Sequence, residues 1–504
     1  MKRKNNELRC KSIKLELQKY KQLPCITNIE KLQPFFPPIE QLFKVESLDQ
    51  CQLYGIKHPK TDKEIHDKIT MLINPYKWMK GNYGNLDLPM SSIKATKIHT
   101  KLQTSNNAGY VGSILSVALS TCQHFPIVYG TYTGTASEHI IDISDDYEEL
   151  CDESWFSQNI GKTFDLKLND DISNVIEYSR KARMKLQLGE SIELDSFKEL
   201  PTEFIEAYPA EMTPIFQSDT KDSDTESIST TELFDIESLS SYSGSLDSED
   251  EDSEDIPFAW AIFKNVPVQI TRMEKLEGTL YQLLKNSNHE CHLAWIGQII
   301  FALTYAQHTF AFTHNDLHGN NIMYIQTSKE FLYYSYEGKT YKLPTYGYLL
   351  KIIDFDRGIG SIKLEGMKES KLFMSDQFDF TEEAGGQYNC HPFYTSKIPH
   401  IKPNPSFDLT RLATALFWDI YPEGPEHPEY QNYSVFKLFI KWLTVDTNSL
   451  LFCKKNPKLD RYPGFTLYKA IAKYAKNAIP HKEISSLDCF LGECPLDEIP
   501  LIIE

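Results

Sequence analysis

The segments THNDLHGNNIMYI (313–325) and LLKIIDFDRG (349–358) decide the fold and the chemistry of this chain. Each joins an apolar, strand-like run to a cluster of carboxylate, amide and imidazole side chains. A sheet whose strands adjoin polar loops presents catalytic groups at its edge in this way. The two segments therefore predict a pair of strands that carries the reactive groups of an enzyme.

The spacing of the polar residues predicts phosphoryl transfer. Asp316 and Asn321 share one loop with His314, and Asp354 ends the second strand. This is the H-x-D-L-x-x-x-N plus D-F-x arrangement of protein kinases. A carboxylate must orient the attacking hydroxyl and accept its proton, which is the role predicted for Asp316. Oxygen ligands must hold Mg²⁺, and these are predicted to be Asn321 and Asp354.

A zinc site is an alternative interpretation of His314 and His318, which share the spacing of a zinc-binding helix. The zinc-protease signature needs Glu directly after the first His, and Asn315 stands there instead. The sequence therefore disfavours zinc. His318 occupies a position where many protein kinases have Lys, and both a structural and a catalytic role stay open for it.

Composition describes a globular protein with room for two or more packed units: the chain has 504 residues, of which 41% are hydrophobic. Its 10 cysteines include no C-x-x-C pair, which is typical of reduced thiols in an intracellular protein. The charged N-terminus has no signal-peptide pattern, and no apolar run reaches the length of a membrane span. We therefore expect a protein that is neither secreted nor transmembrane.

The net charge of -18 is concentrated in one segment. Residues 218–256 contain 14 Asp or Glu, one Lys and 11 Ser, a composition that cannot bury enough apolar surface to order itself. The composition favours a solubilising insertion loop, and the alternative is that its serines are substrates of an acid-directed kinase, the chain itself included. The remaining chain is only mildly acidic, so nucleic acid is not expected as a main partner.

Two glycines, Gly81 and Gly84, lie between aromatic, strand-like segments. They predict a turn that covers phosphates, and the strand after them offers Lys94 as the lysine that binds phosphate, with Lys97 as the alternative. An ordinary hairpin turn is the competing interpretation of the glycines.

Residues 106–123 show apolar positions at helical spacing, and a strand is predicted directly after them. In protein kinases the corresponding helix supplies a Glu that pairs with the strand lysine. No Asp or Glu occurs anywhere between residues 91 and 136. The sequence leaves open what replaces that carboxylate.

The last strand of a small lobe is predicted over residues 266–273, followed by a hinge at 274–278 whose backbone binds adenine. Glu274 and Leu276 are the predicted nucleotide-binding residues of this hinge. Helices are predicted over 279–285 and 292–307, and a hairpin over 331–344. Asp408 begins a later helix, either as a plain N-cap or as a residue that holds the catalytic loop's backbone.

With these motifs in place, the chain resembles the serine/threonine protein kinases of large nucleocytoplasmic DNA viruses, the iridovirus type especially. The residues that carry the resemblance are Gly278-Thr279-Leu280, HNDLHGNN (314–321), the run from Pro344 to Gly358 and DRYPGF (460–465). The resemblance implies an α+β, two-lobed protein kinase-like fold with a small β-rich lobe and a larger, mainly helical lobe. It also implies ATP and Mg²⁺ as cofactors, a protein substrate phosphorylated on Ser or Thr, and a location in the host cytoplasm or the virion.

The domain organisation expected from this resemblance has three parts. They are an N-terminal extension (1–70), a small lobe (71–276) with an insertion at about 137–257, and a large lobe (277–504). Two positions depart from protein kinases in general. Asn315 stands where an Arg receives an activation-loop phosphate, and Asp356 stands in place of a Gly whose positive φ is favoured after Asp-Phe.

Two other functions stay open. The H-x-D-x-x-x-x-N loop also occurs in aminoglycoside and choline kinases, so a small-molecule phosphotransferase of related fold is one alternative. The missing helix Glu favours the other, a pseudokinase that acts as a binding scaffold. Retention of the three predicted carboxylate and amide groups opposes the scaffold.

Overall fold

The computed structural model describes eleven ranges of the chain. These are residues 12–13, 17–19, 51–54, 65–81, 108–169, 258–364, 370–378, 384–389, 393–394, 401–453 and 461–503, except positions 73, 145, 286, 447, 448 and 463. The described residues form a mixed structure in which small, mainly antiparallel sheets alternate with helices. The chain is therefore of the α+β class, as predicted.

The described strands number seventeen, in chain order. They are β1 (Ser12–Ile13), β2 (Leu17–Lys19), β3 (Cys51–Tyr54), β4 (Ile65–Met71), β5 (Val128–Asp142), β6 (Asp165–Leu168), β7 (Ala259–Glu274), β8 (Gly278–Thr279), β9 (Ile322–Gln326), β10 (Phe331–Tyr336), β11 (Lys339–Pro344), β12 (Tyr348–Ile352), β13 (Ile359–Leu364), β14 (Lys371–Met374), β15 (Thr444–Asp446), β16 (Ser449–Leu450) and β17 (Leu501–Ile503).

The α-helices of the same ranges are ten. They are α1 (Pro75–Met79), α2 (Ala108–Leu119), α3 (Tyr147–Asp152), α4 (Ser154–Asn159), α5 (Leu280–Lys285), α6 (His289–Phe310), α7 (Phe407–Ile420), α8 (Ser434–Leu443), α9 (Thr466–Tyr474) and α10 (Pro480–Glu483). Helix α2 lies within the helix predicted from periodicity, and α6 extends the predicted one at both ends. Across the described residues, none of the helices is both long and apolar enough to cross a bilayer.

The largest sheet is built around the long strand β7. Its strand order is β2-β3-β5-β7-β4, with β6 paired to the first half of β7, and every pairing is antiparallel. Strand β7 is rich in β-branched and apolar residues, and its residues Phe263, Val266, Val268 and Ile270 are fully buried. The predicted strand over 266–273 is the second half of β7.

Residues 137–168 begin the predicted insertion. They belong to this same sheet and to the two helices that pack against it. Strand β5 continues to Asp142, where it pairs with Trp260 of β7. Helices α3 and α4 follow, and they contribute Leu150 and Phe156 to the hydrophobic core under the sheet. Residues 170–257, including the acidic Ser-rich segment, lie outside the described residues.

A strand pair joins the two segments that carry the predicted catalytic residues, 313–325 and 349–358. Strands β9 and β12 run antiparallel, with Ile322 opposite Ile352, so the residues before β9 and after β12 emerge at one end of the pair. Strands β10 and β11 form the predicted hairpin, and β10 also pairs with β17. Helices α5 to α8 pack around these strands in the main hydrophobic core of the described chain.

Candidate active site

The loop from residue 313 to residue 321 is held by one buried carboxylate. Asp408, fully buried in the first turn of α7, accepts hydrogen bonds from the backbone N–H of His314 and of Asn315, both at 2.9 Å. The N-cap of α7 is Ser406, so Asp408 has the loop-holding role and not the plain capping role. Burial raises the pKa of Asp408, against the effect of its two N–H partners.

Asn315 fixes the loop from within. Its φ is 67°, a left-handed conformation that Asn tolerates better than most residues, and its side chain is buried. The Asn315 amide donates to the backbone oxygen of Arg357 at 3.0 Å, and its Oδ1 accepts from the Tyr388 hydroxyl at 2.8 Å. The Asn315 side chain thus ties the loop directly to neighbouring backbone.

Asp316 lies in a strongly positive environment. The Tyr468 hydroxyl donates a hydrogen bond to Asp316 Oδ1 at 2.6 Å. Burial by itself raises the pKa of Asp316, but the positive charge of Arg357 leads a set of opposing effects, with His318, Arg411 and the Tyr468 hydrogen bond, that lowers this pKa to about 2. The carboxylate is therefore ionised at neutral pH and available to accept a proton.

Asn321 contacts the same loop through its amide nitrogen. Nδ2 donates to the backbone oxygen of Asp316 at 2.9 Å and lies 2.9 Å from His318 Nε2. Burial lowers the pKa of His318 to about 4, so the neutral imidazole can accept this hydrogen bond. With the nitrogen in use, Oδ1 is the Asn321 atom suited to hold a cation.

Asp354 lies two residues after the end of β12, where the backbone is hydrogen-bonded to the loop. Ile353 N–H donates to the Asn321 backbone oxygen at 3.0 Å, and His314 Nε2 lies 2.7 Å from the Ile353 oxygen. Asp354 itself has a φ of 62°, in the left-handed region. Phe355 packs edge-on against Phe312 and His314, which fixes the direction of the chain after the carboxylate.

Sequence reasoning missed Lys68, the cation that reaches this cluster from the large sheet. Lys68 lies in β4, and its Nζ contacts Asp354 Oδ1 at 2.6 Å and Asp356 Oδ1 at 2.9 Å. The side chain of Lys68 is only 10% exposed. The alternation in IHDKITM (65–71) signals a strand, but one lysine in a strand does not reveal that its partner Asp354 follows 286 residues later.

Asp356 shares Lys68 with Asp354, and the two carboxylates differ in their electrostatics. Burial raises the pKa of Asp356 to about 6, partly offset by the charge of Lys68. Burial also disfavours the charged form of Asp354, but the charge and hydrogen bond of Lys68 outweigh it and lower the pKa of Asp354. Thr70 of β4 supplies a longer hydrogen bond to Asp356 Oδ2, at 3.4 Å.

Helix α2 forms the wall behind Asp356, and its approach depends on small residues. A Cβ added to Gly112 would overlap Asp356 Oδ1, and Cβ atoms at Gly358 and Gly360 would press on Leu115. The helix has no acidic residue and is buried along nearly its whole length. It therefore packs directly on residues 356–360 and leaves no space for a long acidic side chain.

The predicted nucleotide-binding residues at 274–278 have structural contacts. Glu274 ends β7, forms an ion pair with the buried Lys351 at 2.5 Å and accepts from the Ile127 N–H at 2.8 Å. Leu276 is buried, and Glu277 N–H donates to the Tyr324 oxygen. The Glu274 side chain is thus committed to joining β7 to β12, and the backbone N–H groups of Glu274 and Glu277 are hydrogen-bonded within the protein.

Of the three residues predicted to bind phosphate in the N-terminal region, Gly84 and Lys94 lie outside the described residues. Gly81 follows α1 with a φ of 82°, and its nearest side-chain neighbour is Asn159 of α4. In chain order, β4 and Lys68 come before the glycines rather than after them. Lys97, the alternative to Lys94, is also outside the described residues.

The site offers oxygen donors to a metal ion. Within the described ranges, no group of three or more His, Cys, Asp and Glu side chains is placed to hold a metal ion. The predicted pair, Asp354 with the amide oxygen of Asn321, consists of hard oxygen donors. Mg²⁺ is usually held by one or two carboxylates together with water and substrate phosphates, so two protein donors fit that ion.

Comparison with known proteins adds little. No family model matches the chain. The uncharacterized protein ZK177.2 of Caenorhabditis elegans is 28% identical over 80 residues, which is 16% of this chain and 27% of that protein. The similarity thus spans about a quarter of that protein's length and indicates no activity.

The site as a whole brings one ionised carboxylate, two oxygen donors for a hard cation and one buried lysine to the end of the β9–β12 pair. Groups of these types can accept a proton and can bind a cation or an anion. The residues that sequence reasoning missed, Lys68 and Tyr468, come from β4 and α9. Neither carries a local motif.

Proposed function

We propose that this chain is an ATP- and Mg²⁺-dependent protein kinase of two-lobed fold that phosphorylates Ser or Thr hydroxyls. The observation that carries the proposal is the meeting of Lys68, from the large sheet, with Asp354, beside the loop of Asp316 and Asn321. A phosphoryl-transfer site needs a cation for the phosphates, metal ligands and a base for the hydroxyl, and these four residue types supply them.

Each residue has a definite task in this proposal. Asp316 Oδ1 is occupied by Tyr468, so its second oxygen is the one that orients the substrate hydroxyl and accepts the proton. The low pKa of Asp316 keeps it ionised, which favours orientation over strong basicity. Lys68 binds the anionic phosphates. Asn321 and Asp354 hold Mg²⁺, which neutralises charge on the transferred group when it is bound.

The two-lobed architecture in this proposal assigns β4, α2, β5 and β7 to a small lobe and α5 to α9 to a large lobe. Residues 274–278 then join the lobes and offer backbone groups to adenine, with Leu276 against the base. The resemblance to DNA-virus kinases supports this division and an intracellular site of action. Protein substrates, and the serines of residues 218–256 among them, are the proposed acceptors.

The test is transfer of labelled γ-phosphate from ATP with Mg²⁺ to a basic protein, to an acidic protein and to the chain itself. Asp316→Asn should lower the rate by about 100-fold or more, because it removes the proton acceptor while keeping size. Asp165→Asn is the matched control, since Asp165 belongs to an exposed ion pair with Lys264 and should leave the rate unchanged.

Three results would contradict the proposal in different ways. Equal activity of the wild type and Asp316→Asn would show that the transfer belongs to a contaminant. Magnesium-dependent ATP binding without protein phosphorylation would favour a small-molecule phosphotransferase. Absence of nucleotide binding would favour a scaffold.

A further inference from the structure

The carboxylate that positions the phosphate-binding lysine in protein kinases comes from a helix, and helix α2 has no such residue. All of the acidic groups in contact with Lys68 Nζ in the described chain come instead from the segment after β12: Asp354 at 2.6 Å and Asp356 at 2.9 Å. One of the two, Asp354, is also a proposed metal ligand. If Asp354 binds the metal ion, Lys68 needs a second acidic partner to hold its position. Asp356 is in contact with Lys68 Nζ and can be that partner.

We propose that Asp356 is the positioning residue of Lys68, and that Gly112 of α2 supplies the space in which the Asp356 carboxylate lies. This inference rests on the proposed function and assigns a role within the same site. Asp356 acts through Lys68 and is not itself in contact with substrate. Asp356 takes the place of the acidic side chain that α2 lacks, but it approaches Lys68 from the segment after β12.

The packing of α2 supports this exchange of positions. A Cβ at residue 112 would overlap Asp356 Oδ1, so the carboxylate fills the volume that a side chain on the helix would otherwise take. A side chain at residue 112 would therefore displace the Asp356 carboxylate from its present place. Ser113 and Thr271, joined hydroxyl to hydroxyl at 2.6 Å, fix the helix against β7 and thereby fix the place of Gly112.

The Lys68–Asp356 pair is screened from solvent. Only 10% of the Lys68 side chain and 13% of the Asp356 side chain are exposed. A charge pair in such a setting interacts more strongly than one at the surface, because less water separates and screens the two groups. Two carboxylates also let one stay with Lys68 while the other binds a cation.

The experiment moves the carboxylate from residue 356 to residue 112 of α2. Asp356→Gly should lower kcat/KM for ATP by about tenfold or more, because the lysine loses its anchor, while KM for the protein substrate stays unchanged. Gly112→Asp alone should also lose activity, since its side chain overlaps Asp356. The double variant Gly112→Asp with Asp356→Gly should recover most of the wild-type kcat/KM.

Recovery with Gly112→Asp but not with Gly112→Asn, each combined with Asp356→Gly, distinguishes a positioning role from a merely structural one, because both side chains fill the same volume and only Asp restores the charge. Equal recovery with Asn contradicts the positioning role. Asp165→Asn, in the exposed pair with Lys264, is again the matched control and should change nothing. Urea unfolding of each variant shows whether it is folded at the assay temperature.

The inference and the proposed function fail differently. If the wild type transfers phosphate and Asp316→Asn does not, but Asp356→Gly equals the wild type, the inference is wrong and the function stands. If the wild type transfers nothing, the function is wrong. Crystal structures then decide the inference, because Lys68 Nζ that keeps its place beside Asp354 in Asp356→Gly contradicts a positioning role, and a displaced Nζ supports it.

Discussion

The two sides of the candidate active site are held in different ways. The loop at 313–321 is fixed by buried hydrogen bonds: Asp408 accepts from two of its backbone N–H groups, and the Asn315 side chain donates to the backbone oxygen of Arg357. The side formed by β4 and α2 reaches the site through one charged side chain, Lys68, and through close packing of glycines. One side is a rigid frame, and the other depends on a balance of charges.

This difference predicts which substitutions change the stability of the fold and which change activity. Backbone hydrogen bonds in a buried loop cost free energy when their partner is removed, because the donors cannot turn to water. A charged contact across the site adds little net stability, since desolvation opposes the attraction, but it sets the position of a reactive group. Substitution of Asp408 on the loop side should therefore destabilise the fold, whereas substitution of Asp356, which leaves Lys68 paired with Asp354, should mainly change the proposed catalysis.

The largest effect on stability is expected at Asp408. Asp408→Ala leaves the His314 and Asn315 N–H groups buried without an acceptor, which should lower the free energy of unfolding by about 3 kcal/mol or more. Asp408→Asn keeps one acceptor oxygen and should lose clearly less. Urea unfolding measures both. Equal stability of Asp408→Ala and the wild type would contradict this difference between the two sides, because the loop would then not depend on the Asp408 hydrogen bonds.

A second prediction concerns the connection between the two sides. His124 lies just after α2, with Nδ1 2.9 Å from the Leu350 oxygen of β12 and Nε2 2.9 Å from the Tyr334 hydroxyl. Burial lowers the pKa of His124 to about 4. The unfolded state, with a pKa near 6.5, takes up the proton first, so the stabilising effect is present above pH 6.5 and is lost as pH falls toward 4.

The size of this effect follows from the shift. His124 should account for about 2 kcal/mol of the stability lost between pH 7.5 and pH 5. In His124→Gln, urea unfolding at the two pH values should therefore show a smaller difference than in the wild type. His427→Gln, in a loop beside Tyr430, is the matched control and should keep the wild-type difference. An unchanged difference in His124→Gln would mean that α2 is not tied to β12 through a neutral imidazole.

The smallest effect is expected at Tyr388, which donates to Asn315 Oδ1 at 2.8 Å. Tyr388→Phe removes one buried hydrogen bond and should lower the free energy of unfolding by about 1 kcal/mol. If Asn315 replaces the phosphate-dependent Arg of protein kinases, transfer should also fall. Tyr394→Phe, at a tyrosine that is 46% exposed, is the control and should match the wild type in both assays. Loss of stability without any change in transfer would sharpen the comparison, since the loop would tolerate small displacements.

Much of the fold was predictable because its elements follow local patterns. Helical spacing in residues 106–123 and apolar alternation near 331–344 predicted α2 and the β10–β11 hairpin, since one buried face imposes its period on the sequence. The end of β5 was not predicted. Its continuation to Asp142 depends on pairing with β7, more than a hundred residues later, and a strand's length is set by its partner as much as by its own residues.

The sequence by itself determined the residue types and spacing of the loop, with Asp316, Asn321 and Asp354, because these groups lie at the ends of two adjacent strands and their geometry is local. Only the tertiary structure decided their partners: Lys68 is 286 residues from Asp354, and Tyr468 is 152 from Asp316. Which of many lysines approaches a carboxylate depends on how the sheet packs on α2, and in turn on whether Gly112 leaves the space. A linear pattern does not contain that information, since close approach is a property of packed volumes.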